Sequence, residues 1–427
     1  KLLLDLFVET AEPYTGEKDQ QIVVEKGWAQ QVEDTMTLKE IERRYAQNPI
    51  ENVKRISFEY TTVCNLACLH CRNGNLKPVT EKNTDRLKDI VDQALPLGIR
   101  RFDFIGGEVT LYARGWLDLV GHIRKHEDTI AAVITSGWFF GRKDFKAAGK
   151  FYADDRAYLA DLAEAGLTHV IFSLDGPADI HDACRQVPGL YAQIICGIDK
   201  VFEAGLEPRV SVVLGEQLGR DAMAEWLADL AARIYMLLPV RNKEENHRRA
   251  HLLFKDKTNY MSNFIDIGNG VELRQKKHHI DNFRDQDIRC KNFYRPYPNL
   301  RIKANGEISL CPLVDGGDGY GNIHEAGGGD FIHLLNTMQD RFVFRLHAEK
   351  KIGAYRRYLD TDIFGTHFDH VCSLRTVLTM LARELHEKGI DPEEDFDGLH
   401  AANIAVARRA GYMAAEGKTA LGTREPF

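Results

Sequence analysis

The chain has 427 residues with 44% hydrophobic and 28% charged side chains, the balance of a globular protein of about two or three domains. Its net charge of −7 argues against a broad nucleic-acid or anionic-membrane surface, and its apolar runs are too short to span a bilayer. Lys1–Asp5 meets an acid too early to open a signal peptide. Eight cysteines are too sparse for a disulfide scaffold, so we expect a cytoplasmic, reducing location. The charge and the short apolar runs lead us to expect no nucleic-acid or membrane partner.

Strand and helix patterns alternate from Arg55 onward. The predicted strands are Arg55–Thr61, Arg101–Ile105, Ile130–Thr135, His169–Leu174, Glu207–Leu214 and Tyr235–Val240. The predicted helices are Asp85–Leu97, Gly115–Lys125, Asp155–Ala165, Tyr191–Phe202 and Asp221–Ala232. Because right-handed crossovers wind this order into a parallel sheet, residues 55–240 predict an α/β fold, a partial (β/α)6 barrel of the TIM type.

The segments on either side of this core are less regular. Residues 1–54 are predicted to form an N-terminal extension with a helix at Leu38–Ala46. Residues 241–285 are interpreted as a charged linker or a substrate-facing insertion. Within them, Lys276–His279 is interpreted as a solvated charge run rather than as a contact for an anionic group.

A hairpin and further helices are predicted beyond the linker. Leu300–Ala304 and Ile308–Leu310 alternate on either side of a two-residue Asn305-Gly306 turn. Helices are predicted over Phe331–Leu346 and Leu374–Lys388. We therefore divide this part into a small α+β domain over 286–373 and a helical extension over 374–427.

Four polar segments follow the predicted strands. They are Cys64–Cys71, Gly106–Glu108, Thr135–Gly137 and Ser173–Gly176. Reactive groups of such barrels lie on the loops after the carboxyl ends of the strands. These four segments should therefore converge on one rim of the sheet.

Cys64-x3-Cys68-x2-Cys71 is the most specific motif of the chain. Structural zinc usually takes four ligands, often as two Cys-x2-Cys pairs, whereas three thiolates leave one iron of a cubane cluster without a protein ligand. We therefore expect an iron–sulfur site here rather than zinc or buried, inert cysteines. Cys184 and Cys196 are interpreted as inert.

This triplet resembles the cysteine loop of the radical S-adenosylmethionine (radical SAM) superfamily. The resemblance implies a [4Fe-4S] cluster on Cys64, Cys68 and Cys71 whose open iron is chelated by S-adenosylmethionine. It also implies reductive cleavage to a 5′-deoxyadenosyl radical, which abstracts a hydrogen atom from substrate. A reducing partner such as flavodoxin or ferredoxin is implied as well. His70 stands where the family usually has an aromatic residue near adenine.

Further residues match the family pattern in order. The cofactor-binding residues that the resemblance implies are His70, Gly106, Gly107, Glu108, Ser136, Ser173 and Arg185. Glu108 would accept from the methionyl ammonium, and Arg185 would pair with its carboxylate. Val109 replaces the usual proline. On the residues alone, Gly106–Glu108 could be a turn, Arg185 a surface side chain, and Asp175 a turn or cap residue.

Cys290 and Cys311 flank the predicted hairpin and resemble the start of a SPASM or twitch domain. The resemblance implies an auxiliary iron–sulfur cluster, a [4Fe-4S] centre, with Cys372 as third ligand. His367 or His370 could supply a fourth. Two alternatives stay open for Cys372: a thiol that donates a hydrogen atom to a substrate radical, or an inert buried cysteine.

Three classes of function follow from these residues. The first is a radical SAM oxidoreductase or maturase. Residues 1–54 look too short for a leader-binding domain, so we favour a polar metabolite such as a sugar, aminocyclitol or nucleoside, with oxidation or epimerisation as outcome. A maturase of ribosomal peptides is the alternative substrate class. The second class is a non-catalytic iron–sulfur electron carrier or redox sensor, and a zinc-binding regulator is a third.

Overall fold

The computed structural model describes the segment that carries the cysteine triplet, most of the barrel and parts of the later chain. The described residues are 53–71, 78–81, 83–212, 226, 278–282, 299–310, 320–324, 330–338, 340–348, 351–368 and 371–410. The predicted helix Leu38–Ala46 and strand Tyr235–Val240 lie outside them, and of the predicted helix Asp221–Ala232 only Trp226 is described. Within these stretches, no helix has the length and hydropathy that crossing a bilayer requires.

A mostly parallel sheet forms the centre of the described chain. In chain order the strands are β1 (Arg55–Thr61), β2 (Arg101–Gly106), β3 (Ile130–Thr135), β4 (Lys143–Ala147), β5 (Lys150–Asp154), β6 (His169–Leu174), β7 (Glu207–Val212), β8 (His278–His279), β9 (Asn299–Ile302), β10 (Ile308–Ser309) and β11 (His367–Phe368). Seven of them pair in the order β10-β9-β1-β2-β3-β6-β7. The predicted α/β class is therefore confirmed, in keeping with a partial barrel of the TIM type.

Helices connect and cover these strands. They are α1 (Thr84–Ala94), α2 (Val109–Tyr112), α3 (Trp116–Ile123), α4 (Asp155–Glu164), α5 (Ala178–Arg185), α6 (Leu190–Glu203), α7 (Phe331–Met338), α8 (Phe342–Ala348), α9 (Thr361–Phe364), α10 (Val371–Lys388) and α11 (Phe396–Arg409). Side chains cap several of them: Asn83 accepts from the third residue of α1, and Asp154 does the same for α4. The helix predicted over Phe331–Leu346 is instead two helices, α7 and α8.

The alternation in β1 decides which side chains enter the core. Ile56 and Phe58 are buried in the cluster that includes Ile90 and Val91 of α1. Ser57 and Glu59 alternate with them, so they lie on the other face of the sheet. The helix-covered face is therefore apolar, and the inner face carries polar side chains.

The predicted hairpin forms, but its turn differs from the expectation and its strands join the barrel sheet. β9 runs parallel to β1, with Ser57 opposite Arg301, and β10 pairs antiparallel with β9. The Gly306 N–H donates to Lys303 O at 2.8 Å, and Gly306 has φ +84° whereas Asn305 does not have a positive φ. The two-residue Asn305-Gly306 turn is therefore wrong: such a turn needs positive φ at both residues, and the glycine here instead follows a tight turn.

Two hydrophobic cores hold the described residues. The first joins the barrel to the hairpin strands, α7 and the first turn of α8. The second contains Ile280 and apolar residues between Leu346 and Ala410, mainly from α10 and α11. The hairpin shares the core of the barrel, and α8 contributes side chains to both cores. The cores therefore give no sharp division of the chain, and the boundaries at 286 and 374 remain predictions.

Candidate active site

The segment with the cysteine triplet leaves β1 at the carboxyl edge of the sheet and is hydrogen-bonded to its surroundings. The Gly107 and Glu108 N–H groups donate to Thr61 O and Val63 O at 2.6 and 2.8 Å. On the other side, the Thr62 N–H donates to Val79 O at 2.8 Å. These backbone hydrogen bonds fix the position of the residues directly before Cys64.

The glycine pair is required by this close approach. A Cβ atom on Gly106 would lie 2.1 Å from Thr61 O, and one on Gly107 would lie 2.0 Å from Val63 O. Gly106 also has φ +132°, which disfavours other residues. The backbone oxygens of Thr61 and Val63 therefore leave no room for a side chain at either glycine.

The three thiols lie close together in partly buried surroundings. Cys68 is buried, and Cys64 and Cys71 are half-buried. The Cys71 N–H donates to Cys68 O at 3.0 Å, which closes a turn between these two residues. Burial raises the pKa of the Cys64 thiol, and the neighbouring Glu108, Cys68 and Cys71 raise it further. A cation placed among the three sulfur atoms would relieve this repulsion and favour the thiolates.

Glu108 is buried at the start of α2 and is fully hydrogen-bonded by its neighbours. Thr110 and Thr135 hydroxyls donate to Oε1 at 2.5 and 2.8 Å. Ser136 donates its backbone N–H and its hydroxyl to Oε2 at 2.9 and 2.7 Å. The Trp138 indole N–H in turn donates to Thr110 Oγ1 at 2.8 Å. Glu108 and Ser136, both predicted as cofactor contacts, are thus joined to each other and tie the ends of β2 and β3 together.

Arg185 forms a buried ion pair that the sequence did not identify. Its Nε and Nη2 donate to the two carboxylate oxygens of Asp175 at 2.6 and 2.9 Å. Its Nη1 lies 3.7 Å from Cys68 Sγ. Burial raises the pKa of Cys68 to about 11, and the Arg185 guanidinium opposes that rise. Arg185 therefore supplies positive charge beside the Cys68 thiol while Asp175 holds it in place.

His70 and Cys184 connect the cysteine segment to α5. His70 Nδ1 lies 2.8 Å from Cys184 Sγ, and the Leu69 N–H donates to Cys184 O at 2.9 Å. Burial lowers the pKa of His70 to about 4, although Asp175 opposes the shift, so this ring is neutral at pH 7. Cys184 is buried, as expected of an inert cysteine, but it contacts the site. Cys196 is exposed on α6.

His70, Asp175 and Cys184 also place their polar atoms within 4.8 Å of one another, as a metal site would. Both oxygens of Asp175 already accept from Arg185, so we interpret the group as a hydrogen-bonded support. His181 Nδ1 accepts from the Asp175 N–H at 3.2 Å and extends this support into α5.

The remaining predicted site residues are spread over the chain. Ser173 is half-buried near the carboxyl end of β6, opposite Ser211 of β7. His367 lies in β11 and is exposed. Cys372 lies in the first turn of α10, but its side chain is outside the described residues, as are Cys290, Cys311 and His370 in full. The auxiliary ligand set therefore stays a prediction.

The fold and the site together define a class: a parallel α/β protein with three clustered thiols at the carboxyl edge of its sheet. The donor set is suited to a [4Fe-4S] cluster, because three buried or half-buried thiols near enough to repel one another are soft ligands, and a cationic hydrogen-bond donor lies beside one of them. Residues 58–226 match the family model described as Radical SAM superfamily.

The chain is also similar to curated proteins and to solved structures. GTP 3′,8-cyclase of Vibrio parahaemolyticus is 24% identical over 277 residues, 59% of this chain and 76% of that protein. AdoMet-dependent heme synthase of Oleidesulfovibrio alaskensis is 30% identical over 192 residues, 43% of this chain and 45% of that protein. The crystal structure of Streptococcus suis SuiB bound to precursor peptide SuiA is 17% identical with a TM-score of 0.37, covering 71% of this chain and 69% of that one.

Proposed function

We propose that this chain is a radical SAM enzyme, which cleaves S-adenosylmethionine reductively and abstracts a hydrogen atom from a polar small molecule, with oxidation or epimerisation as outcome. The observation that carries the proposal is the triplet of Cys64, Cys68 and Cys71, which gathers at the sheet edge beside the Arg185–Asp175 pair. A cluster held by these thiolates would supply the electron for splitting the sulfonium, which gives methionine and the 5′-deoxyadenosyl radical.

The residues of the chain would position this chemistry. Cys64, Cys68 and Cys71 would hold the cluster, and Arg185 donates toward Cys68 Sγ. Gly107 and Glu108 bond to the segment before Cys64, and so place β2 against it. We propose that S-adenosylmethionine is bound by the residues that the sequence predicted: His70, Gly106, Gly107, Glu108, Ser136, Ser173 and Arg185. The pairs that Glu108 and Arg185 already make orient those side chains before a ligand binds.

The inner face of the sheet supports a polar substrate. One described pair of this face lies toward the carboxyl half of β1: Arg301 of β9 stands 3.5 Å from Glu59, whose side chain is buried. Such a surface offers directed donors and acceptors to a sugar, aminocyclitol or nucleoside. The similarity to GTP 3′,8-cyclase, whose name specifies a nucleotide substrate, favours the same class.

Three further assignments complete the proposal. Cys290, Cys311 and Cys372 would hold an auxiliary [4Fe-4S] cluster that accepts an electron from the substrate radical or anchors the substrate, and a flavodoxin or ferredoxin would supply reducing power. Because thiolate ligands and reduced clusters need a reducing compartment, we assign the protein to the cytoplasm.

The thiol triplet provides the first test. After anaerobic reconstitution, we expect the wild-type chain with dithionite and S-adenosylmethionine to release 5′-deoxyadenosine. Cys64→Ser, Cys68→Ser and Cys71→Ser should each lose the reconstituted site cluster and the product, because a serine oxygen is a poor iron ligand in a cubane site. Cys196→Ser, at an exposed position, should behave as wild type.

Iron, sulfide and zinc analysis of the same samples separates the alternatives. An intact wild-type cluster that gives no 5′-deoxyadenosine would identify an electron carrier or redox sensor. Zinc in place of iron would identify a regulator.

Substrate class is tested separately with deuterated candidates. We expect deuterium from a labelled sugar, aminocyclitol or nucleoside to appear in 5′-deoxyadenosine by mass spectrometry. Transfer only from labelled ribosomal precursor peptides would instead establish the peptide maturase alternative.

A further inference from the structure

The thiols of the triplet differ in the donors that approach them. Cys64 Sγ accepts from a neutral group, the Leu66 backbone N–H, at 3.4 Å. Cys68 Sγ instead has a cationic donor, because Arg185 Nη1 lies 3.7 Å from it. The Arg185 side chain is only 10% exposed, so solvent and salt screen its charge weakly. A buried positive charge therefore distinguishes Cys68 from Cys64.

A backbone hydrogen bond holds Arg185 against the cysteine segment. Arg185 is the last residue of α5, and the residue before it, Cys184, accepts at its carbonyl oxygen from the Leu69 N–H at 2.9 Å. The residue next to Cys68 is thus bonded directly to the residue next to Arg185. The end of α5 cannot move away from the Cys68 sulfur without breaking this bond.

Asp175 binds the edge of the guanidinium that faces away from Cys68. Its carboxylate accepts from Nε and Nη2 of Arg185, whereas Nη1 is the corner that approaches the sulfur. The negative charge of Asp175 therefore lies farther from Cys68 Sγ than the positive charge does. Because the interaction between charges weakens with distance, the guanidinium dominates the local field at this sulfur.

His181 fixes the backbone of Asp175. The His181 side chain is fully buried, and its Nδ1 accepts from the Asp175 N–H at 3.2 Å. The His181 N–H donates to Pro177 O at 2.8 Å in the first turn of α5. One residue of α5 thus holds the main chain of Asp175, while the last residue of the same helix binds its carboxylate. Both contacts limit where the guanidinium can lie.

We propose that Arg185 raises the reduction potential of a cluster held by the triplet, and that Asp175 and His181 are the positioning residues that keep its guanidinium at Cys68. The inference rests on the proposed function, which places a [4Fe-4S] cluster on these thiols. Reduction of that cluster by a low-potential one-electron donor adds one negative charge, and no bond forms or breaks. A hydrogen-bonded cation at a ligand sulfur stabilises the more negative state.

The reduction potential of the reconstituted full chain tests this role. It is measured by EPR-monitored titration with dithionite in the absence of S-adenosylmethionine, so that any contact between Arg185 and that cofactor does not contribute. The signal that Cys64→Ser lacks belongs to the cluster of the triplet. Arg185→Gln should make this cluster harder to reduce. We expect the equilibrium constant for one-electron reduction to fall about tenfold, which equals a shift of about 59 mV to lower potential.

Two further variants separate the contact from the charge of the chain. Arg185→Lys keeps the charge but cannot bind Asp175 along an edge and reach Cys68 together, so its potential should lie between those of the wild type and Arg185→Gln. Arg156→Gln removes a guanidinium that is 59% exposed on α4 and should leave the potential at the wild-type value.

A pair of variants at His181 tests the positioning. His181→Asn keeps an acceptor close to the place of Nδ1 and should retain the wild-type potential. His181→Leu removes the acceptor and should shift the potential in the same direction as Arg185→Gln. A merely structural role of His181 would change the amount of cluster bound but not the potential of the clusters that form.

Equal potentials in the wild type, Arg185→Gln and His181→Leu would overturn the proposal. If Arg185→Gln binds no cluster, the two His181 variants decide, because equal potentials for this pair would also overturn it. An intact wild-type cluster that releases no 5′-deoxyadenosine with dithionite and S-adenosylmethionine would overturn the proposed function instead, and the measured potentials would still report on Arg185.

Discussion

At the residue scale, the buried carboxylate of Asp175 has the largest consequences. It accepts two hydrogen bonds from Arg185, which in turn reaches Cys68 Sγ. Burial alone would raise the pKa of Asp175, but Arg185 and then His70 reverse the shift, so the pKa lies below its usual value. The pair thus holds a charged guanidinium beside a thiol in a place where an unpaired cation would be unstable.

Asp175→Asn tests this coupling. The variant leaves Arg185 buried without its anion, so we expect a loss of about 3–5 kcal/mol in the free energy of unfolding, measured by urea denaturation of the cluster-free chain. Iron uptake should fall as well, because Cys68 loses its positioned donor. Asp128→Asn, which removes an exposed pair with Arg100, should change little. Equal effects of the two substitutions would contradict the importance of the buried pair.

At the element scale, the end of β2 and the cysteine segment depend on two glycines. Gly107→Ala places a Cβ 2.0 Å from a backbone oxygen that cannot rotate away. We expect the free energy of unfolding to fall by about 1–3 kcal/mol. Iron incorporation should fall as well, because the cysteine segment must move. Gly121→Ala in α3 is the control: its Cβ would meet Ala165 O at 3.8 Å, and helix propensity should make it neutral or stabilising. A normal iron content in Gly107→Ala would disprove the packing argument.

The sequence allowed most of the barrel elements to be predicted, since their periodicity is local. Strands β1, β2, β3 and β6 and helix α6 lie within one residue of the predictions at their ends. The β4–β5 hairpin was missed because only Phe145, Ala147 and Tyr152 alternate as buried residues between short charged stretches. The hairpin at Gly306 was located, but its turn type depends on φ angles that Asn-Gly alone does not determine.

The candidate site was predictable as a set of positions but not as a set of contacts. The motif placed the three cysteines, and strand order brought Glu108, Ser136 and Arg185 to the same edge. Spacing cannot specify that Ser136 donates to Glu108 or that Arg185 pairs with Asp175, because those partners are chosen by tertiary packing. The contact of Cys184 with His70 has no signal in the sequence for the same reason.

At the scale of the whole molecule, the second core contains a titratable group whose burial links stability to pH. Burial lowers the pKa of His347 to about 3, and the nearby Arg375 lowers it further. The folded chain therefore keeps this ring neutral while the unfolded chain binds a proton near pH 6.5. The stability that His347 contributes is complete above pH 6.5 and is lost progressively as the pH falls toward 3.

His347→Gln should flatten this dependence. Between pH 6.5 and 4.5 the wild-type free energy of unfolding should fall by up to about 1.4 kcal/mol per pH unit more than that of the variant. Urea denaturation at several pH values, on cluster-free protein, measures both slopes. Parallel slopes for the two proteins would show that His347 is protonated in the folded state.

The position of β9 has a consequence for synthesis on the ribosome. β1 pairs on one side with β2, but its other edge waits for a strand that contains Asn299, which bonds to Ser57 across a separation of 242 residues. At translation rates of about 5–20 residues per second, that edge stays uncovered for roughly 10–50 s. Among the described strands, the first to be synthesised therefore keeps an edge open to mispairing until late in translation.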